Sequence, residues 1–186
     1  MDVNSAINKR RSFRAYEPVV ITPDIITDLA EAAHLAPSCF NNQPWRFLFI
    51  VDKLLLDSLK SVYSSGNEWA RAASMVIAVL SKPDYDCVIK ERKYYQFDTG
   101  MATGLLLLRA TEMGLIAHPI AGFNVEKTHE LLTIPPDVEI ITLILVGKHG
   151  SIDNNTFMSD KQKTAEANRP ERKPLNSVIA VNHYPW

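Results

Sequence analysis

The sequence predicts an α+β domain, and three features lead to that reading. Val138 to Val146 is apolar and rich in β-branched side chains, which suits a central strand. Met101 to Leu108 is apolar almost all round, so at helical pitch it belongs in a core or against a partner chain. Strands and helices alternate without the tight βαβ rhythm of a parallel doubly wound sheet. The 186 residues suffice for one domain with a sizeable core, and neither an internal repeat nor a low-complexity linker divides them.

The elements follow from local patterns. Val3, Ala6 and Ile7 make a short helical face that runs into the cluster Lys9-Arg10-Arg11-Ser12-Phe13-Arg14. Thr22-Pro23-Asp24 reads as a helix start, with Thr22 as N-cap and Ile25, Ile26, Leu29 and Ala33 on one face. Ala36 to Trp45 is small and polar between two apolar runs, so it is a helix-to-strand connection stiffened by Pro37 and Pro44. A strand is expected at Trp45 to Val51, then a helix opened by Asp52 and broken at Ser64-Ser65-Gly66. Asn67 to Ala73 is a helical turn feeding a strand at Met75 to Leu80. A long helix is expected from about Cys87 to Met113, with a strand at Leu115 to Ile120 after it. Pro119 to Phe123 forms a turn and Asn124 caps the helix Val125 to Leu132. Residues 148–186 read as a long tail carrying a second basic cluster, Arg169-Pro170-Glu171-Arg172-Lys173-Pro174.

Charge narrows the function classes. Twenty Lys and Arg against 21 Asp and Glu give a net charge of −1, so no overall field favours nucleic acid or an anionic membrane. No apolar run reaches membrane-spanning length and Asp2-Val3-Asn4 is not a signal peptide, so the expected setting is cytoplasmic. Cys39 and Cys87 make no framework and no CxxC pattern, and Cys39 reads as a small loop residue rather than a nucleophile.

Two places suit a ligand. Four cations and a hydroxyl between Lys9 and Arg14 make a concentrated anion site, because guanidinium groups pair their N–H donors with phosphate oxygens. Ser38, Asn41, Asn42 and Gln43 bring groups that donate and accept hydrogen bonds to a stiff loop, which suits the polar edge of a flat heteroaromatic ring. GxGxxG, GxxxxGK[ST], HExxH and GxSxG are all missing. With no protein nucleophile, acid–base pair or metal cluster apparent, difficult chemistry would be carried by a cofactor.

Arg10-Arg11-Ser12-Phe13-Arg14, then Ala36-Pro37-Ser38 through Asn41-x-Gln43-Pro44-Trp45, then Pro119-Ile120-Ala121-Gly122-Phe123, then Val146-Gly147 and Arg172-Lys173-Pro174-Leu175 together resemble the FMN-dependent nitroreductase family. The resemblance covers nearly the whole chain and rests on the order and spacing of motifs that are individually weak. It implies an antiparallel-type central sheet flanked by helices, an intertwined homodimer with an extended C-terminal tail, and two FMN sites at the interface. It also implies ping-pong transfer of hydride equivalents from NADH or NADPH to nitroaromatics, quinones or related acceptors, with FMN N5 rather than a side chain carrying the hydride.

Carried over by motif, Arg10, Arg11 and Ser12 match the amino-terminal FMN segment and Arg14 would lie nearer the N1/C2=O edge. Pro37, Ser38 and Asn41, with Cys39 and Gln43 between and beside them, match the loop that reaches the flavin held mainly by the other subunit. Ile120, Ala121 and Gly122 match the turn facing the N5/O4 edge. Arg172 matches the carboxy-terminal phosphate ligand, so the tail at 148–186 would wrap the partner. Asn67 and Arg71 sit where some members place pyrimidine-edge contacts. The chain departs from the pattern at Pro170, where a second base is expected and Arg169 could substitute, and at Ala121, where some members carry an acid. Residues 46–99 leave room for little insertion, so the substrate lid should be small or absent. Two other readings remain open: a flavoenzyme of the same fold with different chemistry (dehalogenation, ring oxidation, flavin fragmentation), and a non-catalytic flavin-binding protein.

Overall fold

The computed structural model describes residues 1–154 and 157–186. Its frame is an antiparallel sheet of β1 (Tyr16–Glu17), β2 (Arg46–Ile50), β3 (Met75–Ser81), β6 (Leu115–Ile120) and β7 (Glu139–His149). Strands β4 (Val88–Ile89) and β5 (Arg92–Lys93) form a separate small hairpin. The helices are α1 (Val3–Lys9), α2 (Pro23–His34), α3 (Lys53–Leu59), α4 (Tyr95–Glu112), α5 (Val125–Leu132) and α6 (Asp160–Ala167).

Strand β7 is the spine. It pairs β3 through Val146, β6 from Leu143 to Lys148, and β1 at Lys148 and His149. Every residue of β3 is buried, because helices cover both faces of the sheet. Side-chain alternation assigns the faces. Met75, Ile77, Val79, Ile144 and Val146 pack with Leu29 and Ala33 of α2 and Ala102, Leu106 and Ala110 of α4. Val76, Ala78, Leu80, Leu143 and Leu145 pack with Leu59, Trp69 and Phe123 on the other face.

The expected caps are made. Thr22 accepts from the Ile25 amide, Asp52 from Leu55 and Asn124 from Lys127, each satisfying an orphan donor in a first helical turn. Helix α4 presents Ala102, Leu106 and Ala110 to the core, while Leu105 and Phe97 on its other side are exposed.

Two expectations are corrected. The helix expected from Cys87 begins at Tyr95 instead. Val88 and Ile89 pair with Lys93 and Arg92 across a turn in which Lys90 takes φ 59°, so β-branched residues and a left-handed turn outweigh helical periodicity. The cysteines, read as making no framework, are joined, Cys39 to Cys87, with Cα atoms 6.2 Å apart. A separation of 48 residues carries no local signal, and only the packing of the 38–43 loop against the segment before β4 brings the thiols together. The tail also contains α6, held by a Ser159–Gln162 capping box.

Gly147 shows how tightly β7 holds β1. A Cβ built there would lie 2.6 Å from Cδ1 of the buried Tyr16 ring, whose hydroxyl donates to the Leu145 carbonyl at 3.1 Å. That ring cannot retreat without losing the hydrogen bond. Gly147→Ala should therefore destabilise the fold by about 1–3 kcal/mol, the usual range for overpacking. Urea unfolding of the variant against the native chain measures it, and an unchanged midpoint would show that Tyr16 is free to move.

Candidate functional site

The chain leaves α1 at Arg10 in extended conformation and runs to β1, laying the first basic cluster along the molecule's edge. Arg10, Arg11, Ser12 and Arg14 line a cavity of about 160 Å³ together with Ala165, Arg169, Pro170 and Arg172. The two basic clusters, far apart in sequence, thus share one site. Arg10 donates to Ser12 Oγ at 3.4 Å. Burial and then the neighbouring Arg169 and Arg172 charges push the Arg10 guanidinium below its ordinary pKa, which is the signature of crowded cations.

The arginines have distinct tasks. Arg11 Nη2 donates to the carbonyls of Ala165 at 2.9 Å and Glu166 at 3.0 Å, and its guanidinium lies 4.4 Å from the Phe13 ring centroid. It is a tether to α6. Arg169 donates to the Asn8 carbonyl and, at 3.0 Å, to that of Arg10, so it pins the tail to the end of α1. The buried Glu166 carboxylate accepts from the backbone amides of Arg14 and Ala15 and pairs with His149 at 3.2 Å.

Beyond Arg14 the site continues along an aromatic layer. The Arg14 guanidinium lies 5.6 Å from the Trp69 ring, which tilts over His118 at 4.6 Å. Trp69 is placed by the helical turn Glu68–Ala72, and its indole N–H donates to the Gly66 carbonyl at 3.0 Å. Asn67, just before that turn, donates from Nδ2 to the Gly122 carbonyl at 3.0 Å. A Cβ at Gly122 would come within 2.5 Å of the same nitrogen, so a side chain there would displace the Asn67 amide from its hydrogen bond. Ile120 is buried with its carbonyl accepting from Thr142 Oγ1 at 2.8 Å, and Ala121 is exposed at the turn. Arg71 lies 5.6 Å from the Phe157 ring.

The amide-rich loop lies apart from this layer. Ser38 Oγ accepts from the Gln43 amide at 2.9 Å, and Gln43 Nε2 donates to the Asn41 carbonyl at 3.0 Å. The Cys39 amide donates to Asp98 Oδ2 at 2.6 Å. Only Pro37 meets the amino-terminal cluster among the described cavities, lining an apolar groove with Arg10, Met101, Gly104, Leu105 and Leu108. Of the expected residues, Arg10, Arg11, Ser12, Arg14 and Arg172 are therefore gathered on one cavity. Asn67 and Gly122 touch each other next to Trp69, and the 38–43 loop stands on its own base.

Sequence reasoning missed Glu166, Trp69 and His118. A lone glutamate on a polar helix carries no periodic signal, and a buried histidine looks like any other strand residue. The Ser159-x-x-Gln162 capping pattern could have revealed α6 and directed attention to it.

A family model described as the nitroreductase family matches residues 7–65 and 56–148. The chain belongs to the nitroreductase family. It is an oxidoreductase enzyme of that type. The DrgA protein of Synechocystis sp. is 27% identical to this nitroreductase over 210 residues, covering 97% of this chain and 96% of its own. The oxygen-insensitive NADPH nitroreductase of Helicobacter acinonychis is 24% identical over 209 residues, covering 93% of each chain. A crystal structure of an oxidoreductase containing FMN superposes with a TM-score of 0.85 at 25% identity, covering 99% of this chain and 93% of that one. No helix among the described residues is long and apolar enough to cross a membrane.

His118 gives this layer a pH dependence. Its Nδ1–H donates to the Phe13 carbonyl at 2.9 Å, and burial lowers its pKa from 6.5 to about 4 with Arg14 and Arg10 adding to the shift. Because the folded pKa lies below the unfolded one, the unfolded chain binds the extra proton between those values and stability falls as pH drops. The loss attributable to His118 between pH 7 and 4.5 should be about 2 kcal/mol. Urea unfolding of the native protein and His118→Phe at both pH values measures the difference. Parallel losses in the two proteins would show that His118 titrates normally.

Proposed function

We propose that this nitroreductase binds FMN and uses NADH or NADPH to reduce nitroaromatic, quinone or similar small-molecule acceptors. The observation that carries the reading is the cavity where Arg10, Ser12, Arg169 and Arg172 converge from both ends of the chain. A guanidinium disfavoured by burial and by two neighbouring cations is stabilised by an anion between them, and a phosphate monoester supplies two negative charges and three acceptor oxygens. About 160 Å³ accommodates a phosphate but not a three-ring system, since drug-sized ligands need about 300 Å³ or more. The rest of the cofactor must extend out of the cavity, and Arg14, Trp69, Asn67 and the constricted Gly122 turn form the polar and aromatic surface on which it would lie.

When bound, FMN would supply the hydride chemistry between NAD(P)H and the acceptor, in a ping-pong cycle. The chain's own residues do the holding and the tuning. Arg10, Ser12 and Arg172 would grip the phosphate, with Arg11 and Arg169 fixing the backbone that presents them. Arg14, whose guanidinium lies by Trp69, would put a fixed positive charge near the ring end, where such a charge would raise the cofactor's potential. Ile120, Ala121 and Gly122 would form the turn facing the reactive edge, with Asn67 hydrogen-bonded to that turn and Arg71 contributing a further cation.

We infer a homodimer as the working unit. Phe97, Leu105, Leu175, Val178, Ile179, Val181, Tyr184 and Trp186 are exposed on the single chain, apolar side chains that a partner would cover. A second copy covering it would bring a loop containing Pro37, Ser38, Cys39, Asn41 and Gln43 toward the first copy's flavin. The expected setting is cytoplasmic.

Two variants separate holding from tuning. A charge-assisted contact contributes about 1.5–3 kcal/mol, so Arg172→Ala should weaken FMN binding by about one to two decades. Reduction of the FMN-saturated variant should change little. Arg14→Ala should slow anaerobic reduction by NAD(P)H even at saturating FMN. Titration of FMN into apo-protein and stopped-flow reduction read both effects, and unchanged FMN affinity in Arg172→Ala would remove the tail from the site.

A further inference from the structure

The 38–43 loop is held in a conformation its residues do not choose. Phe40, Asn41 and Gln43 have φ of 48°, 58° and 51°, a left-handed backbone at three non-glycine positions. Such geometry persists only where surrounding contacts over-determine it. Bonds within the loop, from the Gln43 amide to Ser38 Oγ and from Gln43 Nε2 to the Asn41 carbonyl, are joined by contacts from outside it. The Cys39 amide is gripped by the buried Asp98 carboxylate, and Asn42 Nδ2 donates to Asp86 Oδ1 at 3.3 Å. The covalent restraint is the Cys39–Cys87 bridge, which ties the loop to the segment entering β4.

The base beneath the bridge does not favour closure on its own. Asp86 Oδ1 accepts from the Cys87 amide at 2.8 Å, while its Oδ2 is buried without a hydrogen-bond partner. Asp98 is pushed above its ordinary carboxylate range by burial, with the Asp86 carboxyl adding to the shift and the Cys39 amide opposing it. Two carboxyl groups thus face each other under a strained loop, and the sulfur–sulfur bond spans them. Both cysteines are half-buried rather than enclosed, and the neighbouring Phe40 projects into solvent, so a small thiol can reach the bridge.

We propose that the Cys39–Cys87 bridge is a thiol-exchange site that latches the 38–43 loop, closed as the disulfide and released as the dithiol. The co-reactant is a dithiol. One of its thiolates attacks a bridge sulfur, the Cys39–Cys87 bond breaks, and a mixed disulfide forms. The second thiol then closes on the first, so the dithiol leaves as a disulfide and two electrons and two protons remain on the cysteines. In the released state the left-handed residues relax and the two carboxyl groups separate. The link to flavin rests on the function proposed above: a loop that completes the partner's flavin site binds less well when mobile.

The test uses the full chain, oxidised in air and reduced with dithiothreitol. Denatured oxidised protein should show no free thiol and the reduced protein two. Amide hydrogen exchange at Cys39 and Gln43 should speed by about tenfold or more on reduction, and the FMN dissociation constant should rise by about tenfold with it. Cys87→Ser, which alters the anchor and leaves the loop sequence intact, should match the reduced state and ignore dithiothreitol. Two free thiols in the air-oxidised protein, or loop exchange that is the same in both states, would overturn the latch. Faster loop exchange with an unchanged FMN constant would overturn the coupling to flavin. If neither form binds FMN, the flavin reading fails, and the exchange rates still decide whether the latch exists.

Discussion

The Glu166 carboxylate against the amides of Arg14 and Ala15 is the contact on which the site depends. Helix α6 is polar, and Glu166 is its one buried residue, so no apolar face drives it onto the body of the protein. What docks it is polar: the glutamate receiving two backbone donors, Arg11 returning two bonds to the α6 carbonyls, and His149 stacking on Phe13 while reaching the same carboxylate. A buried carboxylate is costly unless its oxygens are filled, and here they are filled by the backbone of the first basic cluster. The arrangement opposes the repulsion between Arg10, Arg169 and Arg172. Without it, the Arg169 bonds to the Asn8 and Arg10 carbonyls would be left to hold two cationic segments on one cavity.

The sheet makes this docking possible. Strand β7 buries its centre between two helical layers and delivers His149 at its end, paired directly with Tyr16 of β1. Tyr16 is fixed against Gly147 and stacks on Trp69 at 6.0 Å, so the aromatic layer that borders Arg14 is an extension of the hydrophobic core. Rigid elements therefore position the charged ones. The groups that would meet a cofactor sit on extended backbone and turns held at both ends, which is how a site gains precision without occupying a helix or strand itself.

Much of this was legible in the residues. β-branched runs gave the central strands, and Thr22, Asp52 and Asn124 marked helix starts because an N-cap is a local event. The arginine clusters stood out by charge density, and the structure brings both to one cavity. The hairpin at Val88 to Lys93 was hidden because two short strands lie inside an apparently helical stretch. The disulfide and Glu166 were hidden for a different reason. Each joins segments remote in the chain, 48 residues apart in the bridge and 152 between Glu166 and Arg14, and no local pattern encodes such a pair.

If the carboxylate organises the site, removing it must cost ligand affinity even though Glu166 lines no part of the cavity itself. The direct measurement is calorimetric titration of FMN into Glu166→Ala and Glu166→Gln. The glutamine keeps an acceptor oxygen for the Arg14 and Ala15 amides and should stay within about threefold of the native constant, while the alanine should bind at least about tenfold more weakly. Native affinity in a folded Glu166→Ala would show that the two basic clusters come together without the carboxylate.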